Sequence, residues 1–387
     1  MKYTKIALVI AVLILGTLTY SFISKGSSEN VGASFPAGQS TNPIKIGASI
    51  SLTGVAADFG QMSKKAMELA VEEINEKGGV EGRKVELYIE DDQTDPKSAV
   101  SAYRKLVDVQ KTEAVIGGIF DFTALPIFPL AEKDKVTFIS PVNFVIDGSF
   151  EMNPYSFVMY PRFDQVVREL DSVIASKNIK TLGMIRFESG FSESIQSTLK
   201  GIMQKQSSQF VVETYKAIGG SDFRTNILKL TDSALKDKKL DAVFLDMLDF
   251  DIVKYLSDSK NLGFKKQIIG YTTLRDVLKN DKVNKADLEG AIMLDWEIPS
   301  TEFRRAFEAK YGELPRRGAN KSYDAVYVLA EAIAGAENKE NISNYIKSRS
   351  FETKNGTFRF GTNHAVTNTP VKVFEVKSGE LVEIKSN

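Results

Sequence analysis

The chain has 387 residues, 43% hydrophobic and 26% charged, a globular composition long enough for two lobes of about 100–200 residues each. Fifty Lys and Arg cancel fifty Asp and Glu spread along the chain, so no charge field points to nucleic acid as a partner. The lack of cysteine excludes disulfides, thiolate metal sites, thiol nucleophiles and a lipidated cysteine, and a single histidine excludes multi-histidine metal sites.

At the N-terminus, Lys2 and Lys5 precede an uncharged run from Ile6 to Ser24. Its length approaches the ~18–20 residues that cross a bilayer and exceeds a usual signal-peptide core. We expect residues 1–24 to be a membrane anchor or signal segment, the anchor being favoured on that length; no clear A-x-A cleavage site follows. Residues 25–43 are rich in Gly, Ser and Asn and suit a flexible linker. The remainder is then extracytoplasmic.

"IKIGASIS" (44–51) predicts a buried strand, and Gly60 to Asn75 a helix with Met62, Ala66, Leu69 and Ala70 on one face, stopped by Gly78-Gly79. Then come "KVELYIED" as strand, "DPKSAVSAYRKLVDV" as helix, "EAVIGG" as strand, "TALPIFPLAEK" as helix and "VTFIS" as strand. The rhythm resumes with "TLGMIRF", "FVVETY", "DAVFLD" and "QIIGY". Such alternation gives an α/β architecture of parallel sheets flanked by helices.

In these sheets ligands sit beyond the carboxyl ends of the strands. The informative loops are therefore "SLTGVAADFG", "GGIFDFT", "SPVNFV", "FESGFSES", "LDMLDFD" and "GYTTLRD". No strand leads into G-x-G-x-x-G, a P-loop or a G-x-S-x-G elbow, so neither a cofactor nor an enzyme activity is expected. His364 lies in the polar "FGTNHAVTNTP" and reads as an exposed loop residue.

Asp121 stands between Phe120 and Phe122 and has two readings. It caps the following helix, or it meets a cationic or polyhydroxylated ligand group in a cleft walled by phenylalanines, Phe122 among them. Thr123 is available as an alternative cap. Asp246, directly after "AVFL", is placed for the cleft, whereas Asp249 and Asp251 suit the first turn of a helix. Their spacing is not that of a calcium loop. Trp296 is expected to pack at the junction of the lobes rather than to touch ligand.

The stretch "IKIGASISLTGVAADFGQMSKKAMELAVEEINEKGGVEGRKVELYIEDDQTDPKSAV", with "VIGG" and "ISP" beyond it, resembles type I periplasmic solute-binding proteins of the leucine/isoleucine/valine-binding branch. The resemblance implies a two-lobed periplasmic-binding-protein type I fold, each lobe a parallel sheet flanked by helices, joined by three hinge crossovers. It divides the chain into an N-terminal lobe of 44–158 plus 298–352 and a C-terminal lobe of 159–297 plus 353–387. It also implies a monomer that clamps a small polar solute and presents it to an ABC transporter permease, with a sensor ectodomain acting through a partner receptor as the alternative.

Carried onto this sequence, the family's ligand positions fall on Phe59 for the first-loop aromatic, and on Phe191, which lacks the usual hydroxyl. They fall further on Asp121, on Asn143 and Phe144, and on Thr272 where an acidic residue usually meets the α-ammonium. An aspartate repels a carboxylate, and a threonine cannot pair an ammonium as a carboxylate does. The expected ligand is therefore amine-bearing rather than a plain amino acid.

Overall fold

Strand β1 (Ile44–Ile50) is buried along nearly its whole length and pairs in parallel on both sides, with β2 (Val85–Asp91) and β3 (Ala114–Gly117). A continuous apolar run takes that central position when helices cover both faces. The computed structural model describes residues 42–143, 153–161, 163–234, 240–367 and 369–384. The expected anchor, most of the linker, and Phe144 lie outside them. Among the described residues no helix is long and apolar enough to cross a membrane.

The first sheet continues in parallel through β4 (Thr137–Ser140) and β5 (Ser156–Pro161). The second begins with β6 (Thr181–Phe187), β7 (Gln209–Tyr215), β8 (Ala242–Asp246), β9 (Gln267–Gly270) and β10 (Ile292–Asp295), again all parallel. After a hairpin of β11 (Ser350–Thr353) and β12 (Gly356–Arg359), the short β13 (Ala365–Val366) edges the first sheet against β5. The strands β14 (Lys372–Lys377) and β15 (Glu380–Ile384) then edge the second. The orders are β13-β5-β4-β3-β1-β2 and β15-β14-β10-β9-β8-β6-β7.

The alternation legible in the sequence is the observed fold, two helix-covered sheets forming two lobes. The helix Ala57–Glu76 buries Met62, Ala66, Leu69 and Ala70 as its spacing requires, and Gly78 and Gly79 follow it at φ +99° and +84°. One apolar cluster fills the inner faces and passes between the lobes through Tyr160 and Trp296. Separate clusters fill the outer face of each sheet.

Several expectations are corrected. The second sheet is not purely parallel, since β14 and β15 join it antiparallel as a hairpin. The helix expected over "TALPIFPLAEK" is two short ones, Asp121–Ala124 and Phe128–Asp134, because Pro126 offers no N–H to continue the first. The strand β13 pairs with β5 in the first sheet and β14 joins the second, so the chain passes between the sheets after Val366. Phe351, Phe358 and Phe360 form a ring cluster that reaches Phe157 of β5, and their burial keeps β11 to β13 with the first lobe. The strand β5 runs to Pro161 before the chain reaches the second sheet at β6. His364 is buried, not exposed. Its ring stacks on Phe157 at 4.8 Å and its Nδ1 lies 3.0 Å from the Ser156 carbonyl.

The helix Ala57–Glu76 approaches the end of β1 so closely that a Cβ on Gly60 would lie 1.8 Å from the Ser51 carbonyl oxygen. Because that neighbour is backbone, relief requires the helix to shift. Gly60→Ala should therefore cost about 2 kcal/mol or more. A lowered urea midpoint against wild type checks it; an unchanged midpoint means that helix and strand separate freely.

Candidate functional site

The first-lobe side begins in two acidic residues that hold loops rather than ligand. Asp91 accepts from the backbone N–H of Leu52, Thr53 and Gln93 and from the Thr53 hydroxyl, which holds its carboxyl below the usual range despite partial burial. Asp92 accepts from Ser51 Oγ at 2.6 Å and from the Thr94 N–H at 2.9 Å. These bonds hold Gln93 and Thr94 at positive φ and fix the 52–56 loop that delivers Phe59. The "EDDQTDP" stretch is scaffold for the cleft. Its last acid, Asp95, caps the next helix through the N–H groups of Lys97 and Ser98.

A second loop follows β3. Gly118 turns the chain at φ +66°, and its carbonyl receives Ser140 Oγ at 2.7 Å and Asn143 Nδ2 at 2.6 Å. Asn143 thus positions the loop that presents Asp121. Thr123 supplies the local helix-end bonds, accepting from the Phe120 N–H and donating to the Phe120 carbonyl. Asp121 is left with one oxygen on its neighbour Phe122 N–H (2.9 Å), while Oδ2 accepts from the Phe191 N–H of the other lobe (3.3 Å). Asp121 does cap a helix, but the helix belongs to the opposite lobe.

That helix, Gly190–Lys205, has Ser189 at its N-cap, and its first turn also serves another acid, Asp246. Ser192 Oγ donates a hydrogen bond to Asp246 Oδ2. Burial pushes Asp246 up to about 6, the Ser192 bond pulls it down, and the nearby Asp121 charge raises it further. Arg317 and Arg186 act in the opposite sense. Two carboxylates, one from each lobe, therefore share one helix N-terminus, where backbone N–H groups and the helix dipole favour negative charge. Asp251 is committed elsewhere, to the Gly219 N–H (3.0 Å) and the Tyr215 hydroxyl (3.3 Å).

Between the lobes lies a cavity of about 100 Å³, on the scale that holds one small organic molecule. Phe120 and Phe122 stack at 5.4 Å on the first-lobe side, Phe187, Phe191 and Tyr215 face them, and Tyr160, Trp296 and Tyr271 close the crossover end. Trp296 packs between Tyr160 and Tyr271 at 5.6 and 5.3 Å. It stands at the junction as expected, but it also lines the cavity.

Of the sequence-predicted site residues, the cavity brings together Asp121, Phe122, Asn143, Phe191 and Asp246. Phe59 stands behind Phe120, at 6.3 Å, lining two smaller adjoining cavities. Thr272 is buried at the head of the helix Thr273–Leu278 and does not line the cavity, whereas its neighbours Tyr271 and Thr273 do. The Tyr271 and Thr273 hydroxyls are buried without a hydrogen-bond partner among the described residues. Sequence reasoning missed both, and it missed Ser192 and Arg317. The described residues contain no group of acids and histidine that could hold a metal ion.

The sequence profile of the periplasmic binding protein family matches residues 43–380. The chain is 27% identical to the Leu/Ile/Val-binding protein homolog 7 of Brucella melitensis over 326 residues, 76% of this chain and 77% of that protein. It is 23% identical to the leucine-, isoleucine-, valine-, threonine- and alanine-binding protein of Pseudomonas aeruginosa, over 88% and 92% of the two chains. Among solved structures, its fold is similar to a branched-chain amino acid transporter substrate-binding protein of Streptococcus pneumoniae in complex with isoleucine. There the TM-score is 0.74 and the identity 23%, over 88% of this chain and 100% of that one. A Rhodopseudomonas palustris solute-binding protein in complex with 3,4-dihydroxybenzoic acid gives a TM-score of 0.76 at 20% identity, over 89% and 97%.

The raised Asp246 has a direct consequence for stability. Its folded pKa, about 6, lies above its ordinary 3.8, so the folded state takes up a proton before the unfolded state as pH falls. Stability from this group rises as pH drops from above 6 toward 4 and is flat at higher pH. A two-unit shift corresponds to at most about 3 kcal/mol. The stability difference between Asp246→Asn and wild type should therefore favour the variant at pH 7.5 and shrink by roughly 1–3 kcal/mol at pH 4.5. Denaturant midpoints at the two pH values measure it, and a pH-independent difference contradicts the assignment.

Proposed function

This chain belongs to the periplasmic binding protein family, and on that premise we propose that it clamps a small amine-bearing solute between its lobes and presents it to an ABC importer. Residues 1–24 would anchor it on the extracytoplasmic face, or carry it there before cleavage. The observation that carries the amine is the pairing of Asp121 and Asp246, one acid from each lobe, across one aromatic-walled cavity. A cation between two carboxylates relieves their repulsion, and it gains ~0.5–2 kcal/mol more from each aromatic face it touches. A plain α-carboxylate at Asp121 would meet a like charge instead.

The mechanism is an equilibrium between open and closed clamp. A ligand touching both lobes binds the closed form better and shifts the population toward it. The bond from the Phe191 N–H to Asp121 crosses between the lobes and belongs to the closed form, so closing completes the acid pair as it encloses the solute. No covalent step is involved.

The test is a thermal-shift and calorimetric screen of residues 36–387 with primary amines and polyamines, branched-chain amino acids and aromatic carboxylates. A ligand at ~100 times its Kd adds about 2.7 kcal/mol of stability. Amines should stabilise the wild type, and Asp121→Ser and Asp246→Asn should each weaken them about 10- to 100-fold, the range of one charge-assisted hydrogen bond. Equal stabilisation of wild type and both variants by branched-chain amino acids, with no response to amines, sinks the amine reading.

A further inference from the structure

The cleft also holds a cation to which neither acid is hydrogen-bonded among the described residues. Arg317 lines the main cavity and both smaller cavities beside it, where the three meet. Only one edge of its guanidinium is engaged. Nε lies 3.5 Å from Glu297 Oε1 and 3.4 Å from the Tyr160 hydroxyl. The guanidinium carbon stands 5.9 Å from the Phe59 ring centroid, over its face. Nη1 and Nη2 donate no hydrogen bond among the described residues, although a guanidinium carries five donors in a rigid fork.

Its anchor is fixed. Glu297 is fully buried on the segment after β10 that returns the chain to the first lobe. The other Glu297 oxygen accepts from the Gly318 N–H at 2.9 Å, at the head of the helix Ala319–Gly335, and the buried Lys321 adds a second positive neighbour. Glu297 thus has partners of its own on either side of Arg317. Arg317 is not simply the counter-ion of Asp246 either, because the contact Asp246 makes is to Ser192. An arginine held by its Nε edge beside a cavity leaves its Nη pair to meet whatever enters.

We propose that Arg317 is the anion subsite of this cleft. It receives a carboxylate or other anionic oxygen of the ligand through Nη1 and Nη2, with Glu297 as its positioning residue. This deepens the function proposed above and rests on it only for the amine. The ligand then carries separated charges, its amine toward Asp121 and Asp246 and its anion toward Arg317, with an apolar or aromatic body between the ring walls.

Three probes share one ring and differ only in charge: benzylamine, benzoate and 4-(aminomethyl)benzoate. Titration calorimetry on the wild type, Arg317→Gln, Arg317→Lys and Glu297→Gln reads the ratio of the benzylamine Kd to the 4-(aminomethyl)benzoate Kd. In the wild type that ratio should be 10 or more, as one charge-assisted pair provides. It should fall to near one in Arg317→Gln, and to an intermediate value in Arg317→Lys, which keeps the charge and loses the fork. Glu297→Gln should lower it while Arg317 remains. A ratio unmoved by Arg317→Gln overturns the proposal, as does failure of all three probes to bind the wild type at millimolar concentration. If benzoate binds and benzylamine does not, the amine reading fails separately, and loss of benzoate in Arg317→Gln then upholds the anion subsite.

Discussion

Two carboxylates from opposite lobes converge on the amino end of one helix, Gly190–Lys205, and the cleft is organised around that convergence. Asp246 reaches it through Ser192 from the end of its own sheet, and Asp121 reaches it through the Phe191 N–H from the other lobe. A helix N-terminus of this length presents unpaired N–H groups and roughly half a positive charge, enough to hold one carboxylate comfortably. A second, brought in by closure, meets the first as a like charge. Asp246 records the consequence, since burial and the Asp121 charge both hold its proton more tightly than water would. The proposed amine would relieve this repulsion.

The surrounding structure keeps that convergence from relaxing away. Asp91 and Asp92 spend their carboxylates on the 52–56 loop, and Gly118 with Ser140 and Asn143 locks the turn that carries Asp121. Asp251 spends its own on Gly219 and Tyr215. Each of these acids is tied to backbone or hydroxyl donors nearby. Asp121 and Asp246 differ because their partners lie on a single helix end that both must share. The aromatic walls sharpen the effect by excluding water, which strengthens every charge interaction inside.

Much of this was legible in the chain itself. The fold was, because buried parallel strands and helices of 3.6-residue period leave opposite signatures, and the loops after "VIGG" and "AVFL" fall where strand order places them. The role of Asp121 was not, because its partner N–H lies 70 residues away and only packing of the two lobes brings it there. Thr272 is buried by the strand-to-helix turn, which leaves Tyr271 and Thr273 lining the cavity, and nothing in the local sequence says which of the three faces it. His364 misled because its neighbours are polar, and nothing local announces that β13 will carry it under Phe157. Arg317 lay in "LPRRGANK", where a basic pair before a helix looks like ordinary surface until Glu297 arrives from the crossover.

The crossover explains why charge recognition and closure need not be separate devices. Glu297 belongs to the segment that connects the lobes, it holds the Arg317 edge, and its second oxygen binds the N–H that begins the helix Ala319–Gly335. Tyr160, at the end of β5 where the chain first crosses, touches the same guanidinium and packs on Trp296 of the second crossing. The chain passes between the sheets again after Val366, but these first two crossings are the ones that hold Arg317. At the far side of the cavity, Asp121 meets the opposite lobe through the Phe191 N–H, a contact that belongs to the closed form in the clamp proposed here. A ligand of the proposed kind, spanning from Arg317 to the acid pair, would gain its second charge contact in the closed state alone. That is the differential affinity a clamp requires, because a ligand can shift an equilibrium only by what it gains in one state over the other.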